Sequence, residues 1–430
     1  MKEVLDKITP SKEERERVHR LAQEMVAEIR KLGYHAEVMG SIAKETWVSG
    51  EADIDIFVFF SQKTTKQELE RKGLELGKKI FKKLGGSFEI GFAEHPYVKG
   101  EIRGIGADIV PCYKLKKVEI KSAVDRTPFH THYVNKRLKK PQRKEVLLLK
   151  QFCRGQEIYG SELKTEGLSG YLCEILILRY GTFSDCIDAI SKWKEGKIID
   201  IEEHYLKDEA EKLRQQFRAP LIAIDPVDLN RNVAAVLSRK NLLKLIKAAK
   251  GYRQKPSEKF FFQGRVEPMS PRRIKGCMFV VFPREKVLDD IIYPQMRSTA
   301  KKISTALMIN GFEVLKEGAW ANGSCVLVFR LKSARIPKKY KHYGPPLEMK
   351  EHTARFRKKY KSVKKEGKRL VVLRERKYQE ADAFLKAYLR KEKGIASHLD
   401  AKKAKMVTDA KSIFREDFGQ WLTKWYNEKD

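Results

Sequence analysis

Three aspartates combine residue type and spacing in a way that permits chemistry. Asp53 and Asp55 alternate with apolar residues in the run Ala52–Phe60, and Asp108 sits in a second apolar run, Gly106–Pro111. Side chains alternate across a strand, so Asp53 and Asp55 share one face while Ile54, Ile56 and Val58 share the other. Two carboxylates on one face repel each other and resist burial, a conflict that a divalent cation resolves. Mg2+ takes oxygen ligands, often one or two carboxylates together with substrate phosphates. Three carboxylates can hold two such ions, one at an attacking 3′-hydroxyl and one at a triphosphate, so that the attack on the α-phosphorus displaces pyrophosphate. The bland alternative is an Asp-x-Asp that caps a turn. Here five more strand-like residues follow the pair, and capping fits poorly. Asp108 is expected at the edge of a strand that Pro111 terminates.

About twelve residues before Asp53 stand Gly40 and Ser41, with Lys44 one turn further on. A Gly followed by a hydroxyl residue at a strand-to-helix turn lets backbone N–H groups and Ser41 approach phosphates, and Lys44 would meet triphosphate charge. Alone, Gly40-Ser41 reads as an ordinary helix start. Combined with Asp53, Asp55 and Asp108 it points to nucleotidyl transfer.

The elements that must carry these residues are legible from pattern. Ser11 and Glu14 have capping-box spacing, and Val18, Leu21, Ala22, Met25, Val26, Ile29 and Leu32 recur with helical period until Gly33. A strand near 36–39 precedes Gly40, the Ala52–Phe60 strand follows, and Thr65 with Glu68 opens a second helix that closes at Gly85-Gly86. Strands near 87–93 and 105–113 complete an α-β-β-α-β-β order, which suits a small mixed sheet with helices on one side. From Lys136 to Tyr252 the pattern is helical, and the Pro/Gly-marked stretch Gly251–Gly276 reads as a boundary. A strand at 278–282, a helix at 293–309, and strands at 312–316 and 324–331 form a small α+β module; residues 381–389 and 402–426 read as helices. The fold class is therefore a multidomain α+β chain. Its expected parts are a catalytic head at 1–135, a helical neck at 136–255, an α+β body at 256–335, and a basic tail with C-terminal helices at 336–430.

Charge constrains the partner. Ninety Lys/Arg against 57 Asp/Glu give a formal charge of +33, an excess that favours a polyanion, with nucleic acid the abundant candidate. Residues 331–368 alone hold 14 Lys/Arg and three Asp/Glu, interleaved with Tyr340, Tyr343, Phe356 and Tyr360. The six cysteines form no CxxC pair and lie in apolar segments, as buried free thiols of a reducing compartment would. No apolar run is long enough to span a membrane, and the first residues lack the apolar stretch of a secretory signal, so a cytoplasmic protein is expected.

The Gly-Ser, Asp-x-Asp and third strand Asp resemble the nucleotidyltransferase superfamily of DNA polymerase beta. Several further stretches resemble archaeal, class I CCA-adding enzymes (tRNA nucleotidyltransferases): Gly40–Trp47, Glu94-His95-Pro96-Tyr97, Asp108–Tyr113, Ser122–His130, Gly167–Leu172, and Asp225-Pro226-Val227-Asp228 with Arg231–Ala234. The likeness is dense to about residue 250 and looser beyond. It implies a polymerase beta-like head and untemplated addition of two cytidines and one adenosine to tRNA from CTP and ATP. It also implies metal at Asp53, Asp55 and Asp108, and triphosphate contacts at Ser41, Lys44, Lys150 and Tyr159. Thr127 and His130 would lie by the ribose and triphosphate, and Arg231 would read the incoming base. Lys44 stands where many relatives are expected to carry Arg, keeping the charge without the fork. From the residues alone, Lys150 and Tyr159 read equally well as parts of an amphipathic helix, His130 as one of a surface pair with His132, and Arg231 as a helix-start residue. His95 is not needed as a base, because metal coordination lowers a hydroxyl pKa; its loop is expected near RNA or in a structural turn.

Lys338, Lys339, Arg355, Arg357, Lys358 and Lys359 suit duplex RNA, whose A-form helix is read through phosphates and 2′-hydroxyls. A tRNA acceptor stem stacked on its TΨC arm is such a duplex; a solvated charge run is the alternative. Rival readings of the whole chain are a poly(A) polymerase-like or other terminal nucleotidyltransferase, and a non-catalytic RNA-binding protein. A homodimer stays open.

Overall fold

The computed structural model describes residues 1–116, 123–264 and 266–428. Two compact units divide the chain, Met1–Gly264 and Arg265–Asp430. Ser122 of the expected Ser122–His130 motif and Arg265 of the Gly251–Gly276 boundary lie outside the described residues.

The first unit opens with α1 (Lys2–Ile8), α2 (Lys12–Lys31), β1 (His35–Met39), α3 (Gly40–Lys44) and β2 (Asp53–Phe60). Then come α4 (Lys66–Lys83), β3 (Ser87–Phe92), β4 (Pro96–Ile102) and β5 (Ile105–Tyr113). The strands form one mixed sheet in the order β1-β2-β5-β4-β3, with β2 and β5 parallel. Ile54, Ile56, Val58, Ala107 and Ile109 pack on the apolar stripes of α2 and α4. Burying each such Ile or Val contributes about 1.5–3 kcal/mol. Asp53, Asp55 and Asp108 alternate with these residues and so occupy the opposite face.

Local chemistry explains the framing helices. Ser11 caps α2 by accepting from the Glu14 amide at 3.1 Å. The Glu14 carboxylate accepts instead from Ser49 Oγ at 2.7 Å and the Gly50 amide at 2.8 Å, pinning the loop that enters β2. Thr65 and Glu68 form the full reciprocal capping box of α4. Gly73 and Gly77, one turn apart on α4, let the helix lie against Pro111 and Val98: a Cβ at either would come within 2.6 Å of those side chains.

Two sequence expectations need correction here. The α-β-β-α-β-β order lacks strand β4, because Pro96, Gly100 and two charges break its apolar pattern; it nevertheless pairs with both β3 and β5. Pro111 does not terminate its strand, which runs on to Tyr113. The β4–β5 ladder reaches only to Val98 opposite Ile109, so the missing Pro111 N–H breaks no bond to β4. The Pro111 carbonyl accepts from buried His95 Nε2 at 2.6 Å, which makes the Glu94–Tyr97 segment a structural turn entering β4.

The rest of this unit comprises α5 (Ala123–Arg137), α6 (Lys140–Gly155), α7 (Gly170–Tyr180), α8 (Phe183–Ser191), β6 (Lys197–Ile199), α9 (Ala210–Phe217), β7 (Leu221–Asp225), β8 (Asp228–Asn232) and α10 (Arg239–Gln254). Its core gathers Phe152, Phe183 and Phe261 with the helix faces around them. The region is not wholly helical as the sequence pattern suggests, since β6, β7 and β8 form a small sheet. Leu221–Asp225 is buried at every position, and a continuous apolar run carries no period to separate strand from helix.

The second unit contains β9 (Cys277–Pro283), α11 (Asp289–Ile309), β10 (Val314–Asn322), β11 (Ser324–Leu331), β12 (Lys339–Pro346) and α12 (Lys350–Lys359). It ends with β13 (Lys364–Glu366), β14 (Arg369–Glu375), α13 (Ala381–Leu389), β15 (Lys405–Val407) and α14 (Glu416–Asn427). One sheet has the order β10-β11-β9-β15, the other β12-β14-β13. Residues 402–426 are not one helix: Lys405–Val407 adds to the edge of β9 before α14 begins. All six cysteines are free and buried. Among the described residues no helix is long and apolar enough to cross a membrane.

Candidate active site

The parallel β2–β5 register sets Asp55 directly beside Asp108, with Asp53 opposite Gly106. Lys99 on β4 faces Asp108 from the other side and forms a 3.0 Å ion pair with Glu89. Burial, and then the charges of the neighbouring aspartates, push the Asp55 and Asp108 carboxyls up to about 7. Burial also raises Asp53, against the pull of Lys99. Burial and these three aspartates raise the Tyr97 phenol to about 12, which marks Tyr97 as a wall of the same face. Among the described residues no three His, Cys, Asp or Glu side chains are grouped so that they could hold a metal ion by themselves. An open face of three crowded carboxylates is the donor set that suits a hard divalent cation shared with phosphate oxygens.

Gly40 has φ 65°, and a Cβ there would overlap the Asp55 carboxylate. A Cβ at Gly106 would come within 2.9 Å of Asp53 Oδ1. Both glycines therefore make room for the carboxylates, a reason for Gly40 beyond the phosphate approach read from sequence. Ser41 follows in the first turn of α3 and is half-buried.

Lys44 and Lys150 converge on a residue that the sequence pattern does not single out. Glu174 on α7 is fully buried. Its carboxylate accepts from Lys44 Nζ at 2.5 Å and Thr46 Oγ1 at 2.6 Å. Lys150 Nζ stands 3.6 Å from the same carboxylate and donates to the Thr46 carbonyl at 2.7 Å. Burial alone would raise the Glu174 carboxyl, but Lys44 and Lys150 outweigh it and hold it below the usual range. Both ammonium groups are thus buried and committed to Glu174, where the family resemblance assigns them to a triphosphate. Arg143 pairs with Glu45 and Arg154 with Glu51, so one face of α6 fastens the 44–51 segment at three points. Tyr159 lies under the Arg154 guanidinium, 4.5 Å from ring centre to carbon. A single Glu inside the apolar run Tyr171–Tyr180 is the available signal for Glu174, since a lone buried charge needs a partner.

A second buried carboxylate organises the remaining residues. Asp225, at the end of β7, has no exposed surface. It takes Nε2 of His130 (α5) at 2.8 Å and NH1 of Arg231 (β8) at 2.8 Å, both on Oδ2. Its Oδ1 accepts from the Tyr171 hydroxyl at 3.2 Å and the Val227 amide at 3.0 Å. Burial works against ionisation, but the hydrogen bonds from His130, Val227 and Arg231 hold Asp225 at about 2. Burial lowers His130, so the neutral ring donates from Nε2. The ring stacks on Tyr171 at 3.9 Å, and Lys44 Nζ lies 5.9 Å from the centre of that Tyr171 ring. His130 is therefore not a surface residue, and Arg231 starts no helix. Thr127 lies one turn earlier on α5 and is half-buried.

In the second unit, Lys338, Lys339, Arg355, Arg357, Lys358 and Lys359 are all exposed. No residue of α12 is buried. Phe356 and Tyr360 pack on each other 4.7 Å apart and on His342, which makes them the support of α12 rather than open stacking platforms. Lys338 pairs with Glu375 at 3.2 Å.

Residues 20–130 match the nucleotidyltransferase domain family. Residues 144–262 match the second domain of tRNA nucleotidyltransferases, and 273–407 the C-terminal domain of CCA-adding enzymes. The carboxylate face on its mixed sheet and the first of these matches define a nucleotidyltransferase of polymerase beta-like fold, a superfamily that uses divalent metal ions. The CCA-adding enzyme of Methanocaldococcus jannaschii is 40% identical over 393 residues, covering 88% of this chain and 87% of its own. That of Methanosarcina acetivorans is 34% identical over 450 residues, 98% of this chain and 97% of its own. That of Methanothermobacter thermautotrophicus is 36% identical over 404 residues, 90% and 87% of the two chains. The chain belongs to the archaeal CCA-adding enzymes.

Proposed function

We propose that this enzyme adds cytidine, cytidine and adenosine in turn to the 3′ end of tRNA, from CTP and ATP and without a template. The observation that carries this is the Asp53, Asp55 and Asp108 face, with Asp55 and Asp108 side by side in parallel register, in a chain whose relatives carry that activity in their name. The 3′-hydroxyl of the tRNA gives up its proton to solvent and its oxygen bonds to the α-phosphorus, the bond from that phosphorus to the α–β bridging oxygen breaks, and pyrophosphate leaves with that oxygen. Asp53, Asp55 and Asp108 would hold Mg2+. When bound, that ion supplies acidification of the hydroxyl and neutralisation of the triphosphate.

The chain's own groups do the rest. Ser41, Thr127 and His130 would bind the ribose and triphosphate, with Tyr159 beside Lys150. Lys44 and Lys150 would act as a fixed positive field, since two ammonium groups against one Glu174 carboxylate leave net positive charge. Arg231 would read the base edge with the part of its fork not used on Asp225; a third of its side chain is exposed. Lys338, Lys339, Arg355, Arg357, Lys358 and Lys359 would track the backbone of the acceptor stem and TΨC arm, which suits an enzyme that must accept every tRNA.

The test supplies each NTP singly to tRNA ending at the discriminator base, after one added C, and after two. Incorporation of C, C and then A supports the proposal. Adenosine at every stage would indicate a poly(A) polymerase-like enzyme instead, and no cytidine incorporation rejects the reading.

A further inference from the structure

We infer that Asp225 is a positioning residue that sets base discrimination without touching the nucleotide, by holding Arg231 and His130 as one unit. The inference rests on the proposed roles of those two residues. Four donors meet on this one carboxylate: the His130 ring Nε2, the Tyr171 hydroxyl, the Arg231 guanidinium and the Val227 amide. Each oxygen accepts twice, so the acceptor capacity facing the site is used in full. His130 and Arg231 share a single oxygen, Oδ2, and neither can shift without disturbing the bond of the other.

The surrounding frame is stiff, so the carboxylate can act as a fixed point. Asn232, the residue after Arg231, ties β8 to β7 by donating to the Leu221 carbonyl at 2.9 Å and accepting from the Ala223 amide at 2.8 Å. Asp228 ties the start of β8 to α5 through Arg126 at 2.7 Å. Between these two anchors, Asp225 tethers the Arg231 side chain. An Arg that selects among bases must present its donors in a fixed direction, because a loose fork accommodates wrong acceptor patterns as readily as right ones. The sequence could not show this arrangement, since it joins α5, α7, β7 and β8.

An amide at position 225 cannot replace the carboxylate. Asn accepts on one side only, and its NH2 must face either the Tyr171 and Val227 donors or the His130 and Arg231 donors. His130 can change tautomer and the Tyr171 hydroxyl can rotate, but the Val227 amide and the Arg231 fork cannot become acceptors. Asp225→Asn therefore loosens the Arg231 tether, through its charge if not through its geometry.

The experiment compares kcat/KM for CTP, ATP and UTP on tRNA ending at the discriminator base and after two added cytidines. It uses the full-length wild type, Asp225→Asn, Arg231→Lys and the double variant. Asp225→Asn should lower discrimination against UTP by about tenfold or more. Arg231→Lys, which leaves Asp225 and a cation in place, should do the same, and the double variant should lose little more. Equal loss for all three nucleotides in Asp225→Asn, a discrimination loss that adds in full to that of Arg231→Lys, or intact discrimination in Arg231→Lys would each overturn the inference. Wild-type enzyme that incorporates no cytidine would overturn the proposed function itself, a result distinct from each of these.

Discussion

Asp55 and Asp108 are direct neighbours across the parallel pair β2 and β5, each in the first half of its strand and each pushed up to about 7 by burial and by the aspartates beside it. A sheet arranged for stability would not place two carboxylates there. Gly40 and Gly106 give up side chains to make room for the Asp55 and Asp53 carboxylates. The apolar burial falls to the other face, where Ile54, Ile56, Ala107 and Ile109 are fully buried. Charge and apolar burial are thus separated onto two faces of the same strands, as the period of two allows.

Removing one of these charges should separate activity from stability. Asp55→Asn and Asp108→Asn are each expected to lower nucleotide incorporation on the order of a thousandfold. In urea titrations at pH 8 without divalent ion, their unfolding midpoints should be unchanged or higher than wild type, because a repulsion between like charges has gone. A midpoint well below wild type would mean that the aspartates are structural.

Gly40→Ala tests the space beside Asp55. The new methyl meets that carboxylate at a backbone φ of 65°, so a loss of about 1–3 kcal/mol is expected from strain. Turnover should fall more than tenfold while KM for tRNA stays near wild type. Wild-type turnover in a folded Gly40→Ala protein would remove Gly40 from the site.

Glu174 predicts a pH signature. Lys44 and Lys150 hold its carboxyl below the usual range, so its stabilising effect is present above the ordinary carboxylate pKa. The effect fades as pH falls through the lowered value. Glu174→Gln leaves two buried ammonium groups facing a neutral amide, which should cost about 3–5 kcal/mol at pH 7. The gap in thermal midpoint between the two proteins should narrow as pH falls below about 4. A gap that is constant across that range would show that Glu174 does not act through its charge.

The exposed cations of α12 should matter for RNA and not for folding. Triple replacement of Arg355, Arg357 and Lys358 by Ala is expected to weaken tRNA binding. The slope of log affinity against log salt should fall by about one for each phosphate that is no longer neutralised. Because none of the three is buried, stability should stay within about 0.5 kcal/mol of wild type. An unchanged salt slope would place the RNA elsewhere.

Much of the head is legible because its signals are local. The Ser11 and Thr65 caps, the helical stripe of α2 and the alternation through Asp53–Phe60 are each written within one element, and each appears in the fold. Strands β4 and β7 escape a sequence reading for opposite reasons. The first has too broken an apolar pattern, and the second has an unbroken one.

The sequence by itself determined the carboxylate face. Two aspartates at a spacing of two must share a side of their strand, and a third strand aspartate limits the chemistry to charge that a cation can balance. What only the tertiary structure decided is where the remaining charges point. Lys44 and Lys150 are drawn to Glu174 from distant positions in the chain, and His130 and Arg231 to Asp225 across three elements. An ion pair is chosen by distance and burial in the folded chain, where desolvation makes an unpaired charge costly, and neither quantity can be read along a sequence.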